Sequence, residues 1–217
     1  MQRFQSLLAF VTIGLGLALA APAGAQQAAP EVVAFGDSLS AGYGVGPGES
    51  FPEQLGAALA ASGHPARVVN AGVSGDTTAG GLARLDWSVP ASADVVIVEL
   101  GANDALRGVS PDVTRANLDA ILGKLKARPH TQVLLAGMIA PPNMGADFAT
   151  AFNPIYTDLA RKHDVPLYPF FLDGVAGQAG LNQQDYMHPN AKGVAVIVRG
   201  ILPQVVQALE AAAGAKG

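Results

Sequence analysis

The sequence predicts an α/β fold: a parallel sheet with helices on both faces. Three observations lead there. Apolar runs of four to seven residues alternate with helix-period segments from Glu31 almost to the end of the chain, the pattern of successive βα units. The clearest run, Asp94 to Leu100, is apolar almost throughout, as a strand buried on both faces requires. Gly, Asp, Ser and Asn then cluster directly after the runs, at the sheet edge where open α/β folds bind ligands.

In order, Val32 to Phe35 is the first strand, followed by a glycine-rich loop from Gly42 to Gly48 and an Ala-rich helix from Phe51 to Ala61. Gly63-His64-Pro65 ends that helix, and Arg67 to Ala71 is the second strand. Thr77 to Leu85 is a short helix, and Asp94 to Leu100 the third strand. Pro111 to Ala127 is a helix with Ser110 as N-cap and Pro111 in its first position, where a missing N–H costs nothing. Val133 to Met138 is the fourth strand, Phe148 to His163 a helix, and Val165 to Tyr168 a short fifth strand. The last helix starts after Pro189 and runs to about Ala211, with a kink expected at Pro203.

Composition narrows the function. Half of the 217 residues are hydrophobic and 14% are charged, which suits a buried core. A formal net charge of -4 offers no basic footprint for nucleic acid. No cysteine is present, which excludes a disulfide framework, a thiolate nucleophile and Cys-ligated metals. Residues 1–25 have the form of a signal peptide: Arg3, an apolar stretch from Leu7 to Ala21, and Ala23-Gly24-Ala25 as a cleavage site. The stretch is short for a spanning helix and is broken by Gly14, Gly16 and Pro22. Cleavage after Ala25, export to the periplasm or medium, and one domain over 26–217 are therefore expected.

Four clusters fall at or just past the ends of the strands: Gly36-Asp37-Ser38, Asn70 to Thr78, Gly101-Ala102-Asn103-Asp104, and Asp185 to Asn190 just before the final helix. Parallel strands bring such distant segments to one edge. On its own, Gly-Asp-Ser is an ordinary strand-to-helix turn with a capping side chain. Together the clusters contain what acyl transfer needs. A serine hydroxyl needs an imidazole to take its proton, and the imidazole needs a carboxylate on its other nitrogen. Asp185 precedes His188 by three residues, so one loop can hold both. Donors for an oxyanion are available in the N–H groups of Ser38 and Gly75 and in the Asn103 amide. Asp37, Asp76 and Asp104 fit either a glycoside-cleaving carboxylate pair or, preferably, hydrogen bonds to backbone N–H groups that shape these loops. Glu99 needs a partner if it is buried. His64, His130 and His163 read as surface residues. Leu106, Ile139, Pro141, Pro142 and Met144, with Arg107, either line an acyl groove or pack loops.

The blocks GDSLS, GVSGDTT, GAND and DYMHPN occur in this order, and the chain thereby resembles the SGNH (GDSL) hydrolases from about Glu31 to Leu209. NAGVSGDTTAGGLARL, VIVELGANDALRG and VPLYPFFLDGV are similar to the bacterial periplasmic thioesterase, arylesterase and lysophospholipase subfamily. The resemblance implies a three-layer α/β/α sandwich around a five-stranded parallel sheet, of flavodoxin-like form. It further implies Ser38 as nucleophile, Asp185 and His188 as its partners, and Ser38, Gly75 and Asn103 as oxyanion donors, with no metal or organic cofactor. The expected substrates are short- to medium-chain acyl esters and thioesters, lysophospholipids among them, and the expected enzyme is a monomer without a stable membrane anchor. Two rivals stay open: a carbohydrate deacetylase of the same fold, and a non-catalytic binding module.

Overall fold

The computed structural model describes residues 29–215; the expected signal peptide lies outside the described residues. Five strands form the sheet: β1 (Glu31–Gly36), β2 (Arg67–Gly72), β3 (Val95–Glu99), β4 (Gln132–Ala136) and β5 (Leu167–Tyr168). All neighbours pair in parallel, in the order β2-β1-β3-β4-β5. That order reverses between β1 and β3, which makes their C-terminal ends the place where a doubly wound sheet opens a crevice.

The helices are α1 (Ser38–Ala41), α2 (Phe51–Ala61), α3 (Thr78–Ser88), α4 (Ala102–Leu106), α5 (Pro111–Lys126), α6 (Ala146–Phe152), α7 (Pro154–His163) and α8 (Ala191–Gly214). The α2 and α8 helices pack together on one face of the sheet, and α3, α5 and α7 pack in sequence on the other. The fold is thus the expected three-layer α/β/α sandwich. Every residue of β1 and β3 is buried, which is why their sequences are apolar without alternation. The edge strand β2 is only half-buried and carries Arg67 and Asn70, polar residues that discourage further pairing. By length and hydropathy α8 is able to cross a membrane, but its apolar stripe covers α2, β3 and β4.

Three expectations change. The helix foreseen over 148–163 is two helices, α6 and α7, divided at Asn153 with Pro154 opening the second. Pro154 has no N–H to donate to the preceding turn, so the hydrogen-bond ladder is interrupted there although Asn153 keeps helical backbone (φ -61°, ψ -33°). The one-turn helices α1 and α4 are additional, and both follow strands at the functional edge. The α8 helix, with Pro203 inside it as foreseen, runs to Gly214 rather than to about Ala211.

Gly72 ends β2 where the chain passes closest to α1. A Cβ there would overlap the Ala41 backbone nitrogen, and backbone cannot yield as a flexible side chain does. Gly72→Ala is expected to destabilise the fold by about 1–3 kcal/mol, the usual cost of overpacking, read as a lower urea midpoint with an unchanged slope.

Candidate active site

Ser38 is held by a turn that its own neighbours build. Asp37 caps α1, its Oδ1 accepting the Leu39 N–H at 3.0 Å. Gly42 ends the helix in the left-handed region (φ 86°) and returns its N–H to the Ser38 carbonyl at 3.2 Å. The hydroxyl of Ser38 therefore stands at the first position of a helix directly off β1.

His188 reaches it from the other end of the sequence. Ser38 Oγ lies 2.9 Å from His188 Nε2, and His188 Nδ1 lies 2.6 Å from Asp185 Oδ2. The loop is preorganised: Asp185 Oδ1 accepts the N–H groups of Met187 and His188, each at 3.0 Å, while Tyr186 takes a positive φ of 59°. These contacts set the chemistry of the carboxylate. The His188 backbone N–H, the His188 ring and the Met187 N–H together lower the Asp185 pKa to about 2. An ionised Asp185 accepts Nδ1–H, which leaves Nε2 as the acceptor for the serine proton. The arrangement can activate a hydroxyl nucleophile.

The expected oxyanion donors lie on the next two loops. Gly75 takes a left-handed φ of 82° in a turn closed by the Asp76 N–H on the Val73 carbonyl at 3.0 Å. Arg107 Nη2 donates to the Gly75 carbonyl at 2.7 Å, joining this loop to α4. On α4, Asn103 Nδ2 donates to Asp37 Oδ2 at 2.9 Å, so the amide is oriented by the residue preceding Ser38. Of the groove candidates, Leu106 and Ile139 are exposed, Pro141 and Met144 are partly buried, and the Met144 methyl approaches Gly108. Leu106 ends α4 after β3, and the other three follow β4, all on the Ser38 edge of the sheet.

Beneath the site is a buried polar layer that sequence reading left without partners. Glu99, at the end of β3, is fully buried; its Oε2 accepts the Ser40 hydroxyl at 2.8 Å and the Asp37 N–H at 3.3 Å. Desolvation, then the neighbouring Asp37 charge, raise its pKa well above the usual carboxylate range, which favours the neutral acid. Asp37 itself is pushed up to about 6, chiefly by burial, against the lowering effect of the Leu39 N–H and Asn103. Asp104 accepts the N–H and hydroxyl of Thr78 and the hydroxyl of Thr114, fastening α3 and α5 to α4. Asp76 corrects the expectation that it shapes a loop through backbone N–H groups. It instead pairs with Arg84 Nε at 2.6 Å. Arg84 also donates to the carbonyls of Ala71 (2.7 Å) and Gly36 (2.8 Å). His163 is likewise no free surface residue: its Nε2 meets Asp119 at 2.5 Å.

Taken together, fold and site define a hydrolase-type chain on a doubly wound parallel sheet, with a serine, a histidine and an aspartate hydrogen-bonded in series at the C-terminal edge of that sheet. The sequence profile of the GDSL-like Lipase/Acylhydrolase family matches residues 34–196, and the chain belongs to that family. It is 41% identical to "Esterase TesA" of Pseudomonas aeruginosa over 76% of this chain and 82% of that protein. It is 40% identical to "Thioesterase 1/protease 1/lysophospholipase L1" of Escherichia coli K12 over 75% of this chain and 77% of that protein. Among solved structures, AlinE4, described as an SGNH-hydrolase family esterase, superposes with a TM-score of 0.70 at 49% identity, covering 83% of this chain and 97% of that one. The chain is an acyl hydrolase.

Because the folded state raises the pKa values of Asp37 and Glu99, the native protein holds protons that the unfolded chain releases. For Asp37, stability therefore falls as pH rises from its ordinary 3.8 to about 6, and Glu99 extends the fall to higher pH. Asp185 acts in the opposite sense: its contribution is present above its ordinary 3.8 and is lost as pH falls towards about 2. Glu99→Gln, which stays neutral, is expected to flatten the alkaline decline of melting temperature relative to wild type. An identical decline in the variant would show that Glu99 does not titrate.

Proposed function

We propose that this chain is an exported serine esterase that hydrolyses short- to medium-chain acyl esters and thioesters through an acyl-enzyme on Ser38. The observation that supports it most strongly is the unbroken Ser38–His188–Asp185 hydrogen-bond chain. In this reading His188 Nε2 takes the hydroxyl proton as Ser38 Oγ attacks the acyl carbon. The resulting imidazolium, stabilised by Asp185, passes the proton to the departing alkoxide or thiolate. Water, deprotonated by the same imidazole, then releases the acid and regenerates Ser38. The Ser38 and Gly75 N–H groups and the second amide proton of Asn103 receive the oxyanion.

The names of the relatives, an esterase and a thioesterase/lysophospholipase, support acyl esters and thioesters as substrates, with lysophospholipids included. Leu106, Ile139, Pro141 and Met144 line the acyl side in this reading. The Arg3 start, apolar stretch and Ala23-Gly24-Ala25 site support cleavage after Ala25, leaving a single monomeric domain over 26–217 in the periplasm or medium.

Hydrolysis of p-nitrophenyl esters from acetate to palmitate tests the reaction. Wild type is expected to turn over with an optimum at short to medium chains, and Ser38→Ala to lose at least about a thousandfold in kcat while staying folded. Persistent turnover in Ser38→Ala would overturn the assignment. Asn103→Ala is expected to lower kcat by about a hundred- to a thousandfold, the cost of one oxyanion donor; a change confined to KM would remove Asn103 from that role. Because the base is an imidazole, activity should fall at acid pH, and Asp185, ionised down to about pH 2, is not the cause of that fall. A flat acid profile would contradict His188 as base.

A further inference from the structure

The Asp185–His188 contact lies within one loop, so it orients the imidazole without locating that loop relative to Ser38. The two reacting residues are 150 positions apart in sequence. Their own hydrogen bond is the contact that must break and re-form during turnover. Something else must fix their separation.

Gln183 has the geometry to do so. Its N–H donates to the His188 carbonyl at 2.7 Å and its carbonyl accepts the Tyr186 N–H at 3.0 Å. An antiparallel bridge between Asn182 and Pro189 continues the closure, making residues 183–188 a stitched hairpin. The side chain then leaves the hairpin. Its Nε2 donates to the Tyr43 carbonyl at 2.7 Å and to the Pro189 carbonyl at 3.0 Å. With two carbonyl acceptors, only the NH2 end of the amide satisfies both. Tyr43 belongs to the loop that directly follows the Ser38 helix.

That loop is shaped to receive the amide. Gly44 takes a φ of 72°, and a Cβ there would overlap Gln183 Oε1. With its carbonyl held, Tyr43 lays its ring against the His188 imidazole, the centroids 4.5 Å apart. One side chain thus joins the loop behind the nucleophile to the hairpin that carries the base.

We propose that Gln183 is a positioning residue for His188, setting the Ser38–His188 separation by tying the 183–188 hairpin to the loop after Ser38. The inference rests on the reading of Ser38 as nucleophile and His188 as base. Proton transfer is steep in distance, and a displacement of about 1 Å can cost on the order of a hundredfold in rate.

The test compares Gln183→Ala and Gln183→Glu with wild type on p-nitrophenyl butyrate, together with inactivation by diethyl p-nitrophenyl phosphate. The Glu variant keeps the size of the side chain, removes the NH2 donor, and keeps the question answerable if the Ala variant does not fold. Gly44→Ala pushes on the same amide from the opposite side. Each folded variant should lose about ten- to a hundredfold in kcat with KM within about twofold, and inactivation should slow in proportion. Unchanged kcat, or a raised KM with kcat preserved, would overturn the proposal. Ser38→Ala run in parallel separates the two failures: if it keeps full turnover, the reading of the site has failed rather than the role of Gln183.

Discussion

Parallel pairing sets Gly36 opposite both Gly72 and Glu99, so β1, β2 and β3 end on one line. Each strand hands its loop to the same edge of the sheet, and the hydroxyl, the Gly75 turn and the Asn103 amide meet there. The close approach depends on what is missing as well as on what is present. A Cβ at Gly36 would overlap Ser40 Oγ and Glu99 Oε2, so glycine at the end of β1 is what lets the Asp37–Ser38 turn sit down on β3. His188 is added last, from a hairpin before α8 that no strand positions directly.

The edge is also where the fold tolerates its most unfavourable burials. Asp37, Glu99, Asp104 and Arg84 are all removed from water, and a buried charge without partners is costly. Arg84 meets the demand with one carboxylate, two strand-end carbonyls and the face of Phe35, 4.3 Å from its guanidinium carbon. Asp104 meets it with three donors from Thr78 and Thr114. Glu99 meets it in part, through the Ser40 hydroxyl and the Asp37 N–H on Oε2, and burial favours its neutral form. Asp185 contrasts with these: it remains in contact with solvent and stays ionised, as the partner of a transient imidazolium must. In the proposed reaction, Ser38 and His188 exchange a proton above a fixed polar layer.

Much of this was legible in the sequence. Continuous apolar runs gave away β1 and β3 because both faces of those strands are covered, and the clusters after β1, β2 and β3 and before α8 contained Ser38, Gly75, Asn103, Asp185 and His188. Short elements were not legible: α1 and α4 span four and five residues, less than the window in which a helical period can be recognised. The division at Asn153 was masked by apolar residues that keep a helical spacing across it, although Pro154 was the available signal. The partners of Glu99, Arg84 and Gln183 were illegible for another reason. Gln183 meets the main chain of Tyr43, and Arg84 that of Gly36 and Ala71, and backbone carbonyls leave no mark on residue identity. Glu99 does meet a side chain, Ser40, but only strand register brings the two together.

The central claim is that the Ser38 hydroxyl is the nucleophile that His188 activates. Its most direct measurement is covalent: treatment with diethyl p-nitrophenyl phosphate, then intact-mass determination and peptide mapping. The account predicts one diethylphosphoryl group per chain, located on Ser38, formed far more slowly in His188→Ala and accompanied by loss of esterase activity in step with labelling. Complete inactivation with the label on another residue, or full labelling of Ser38 with activity retained, would contradict it.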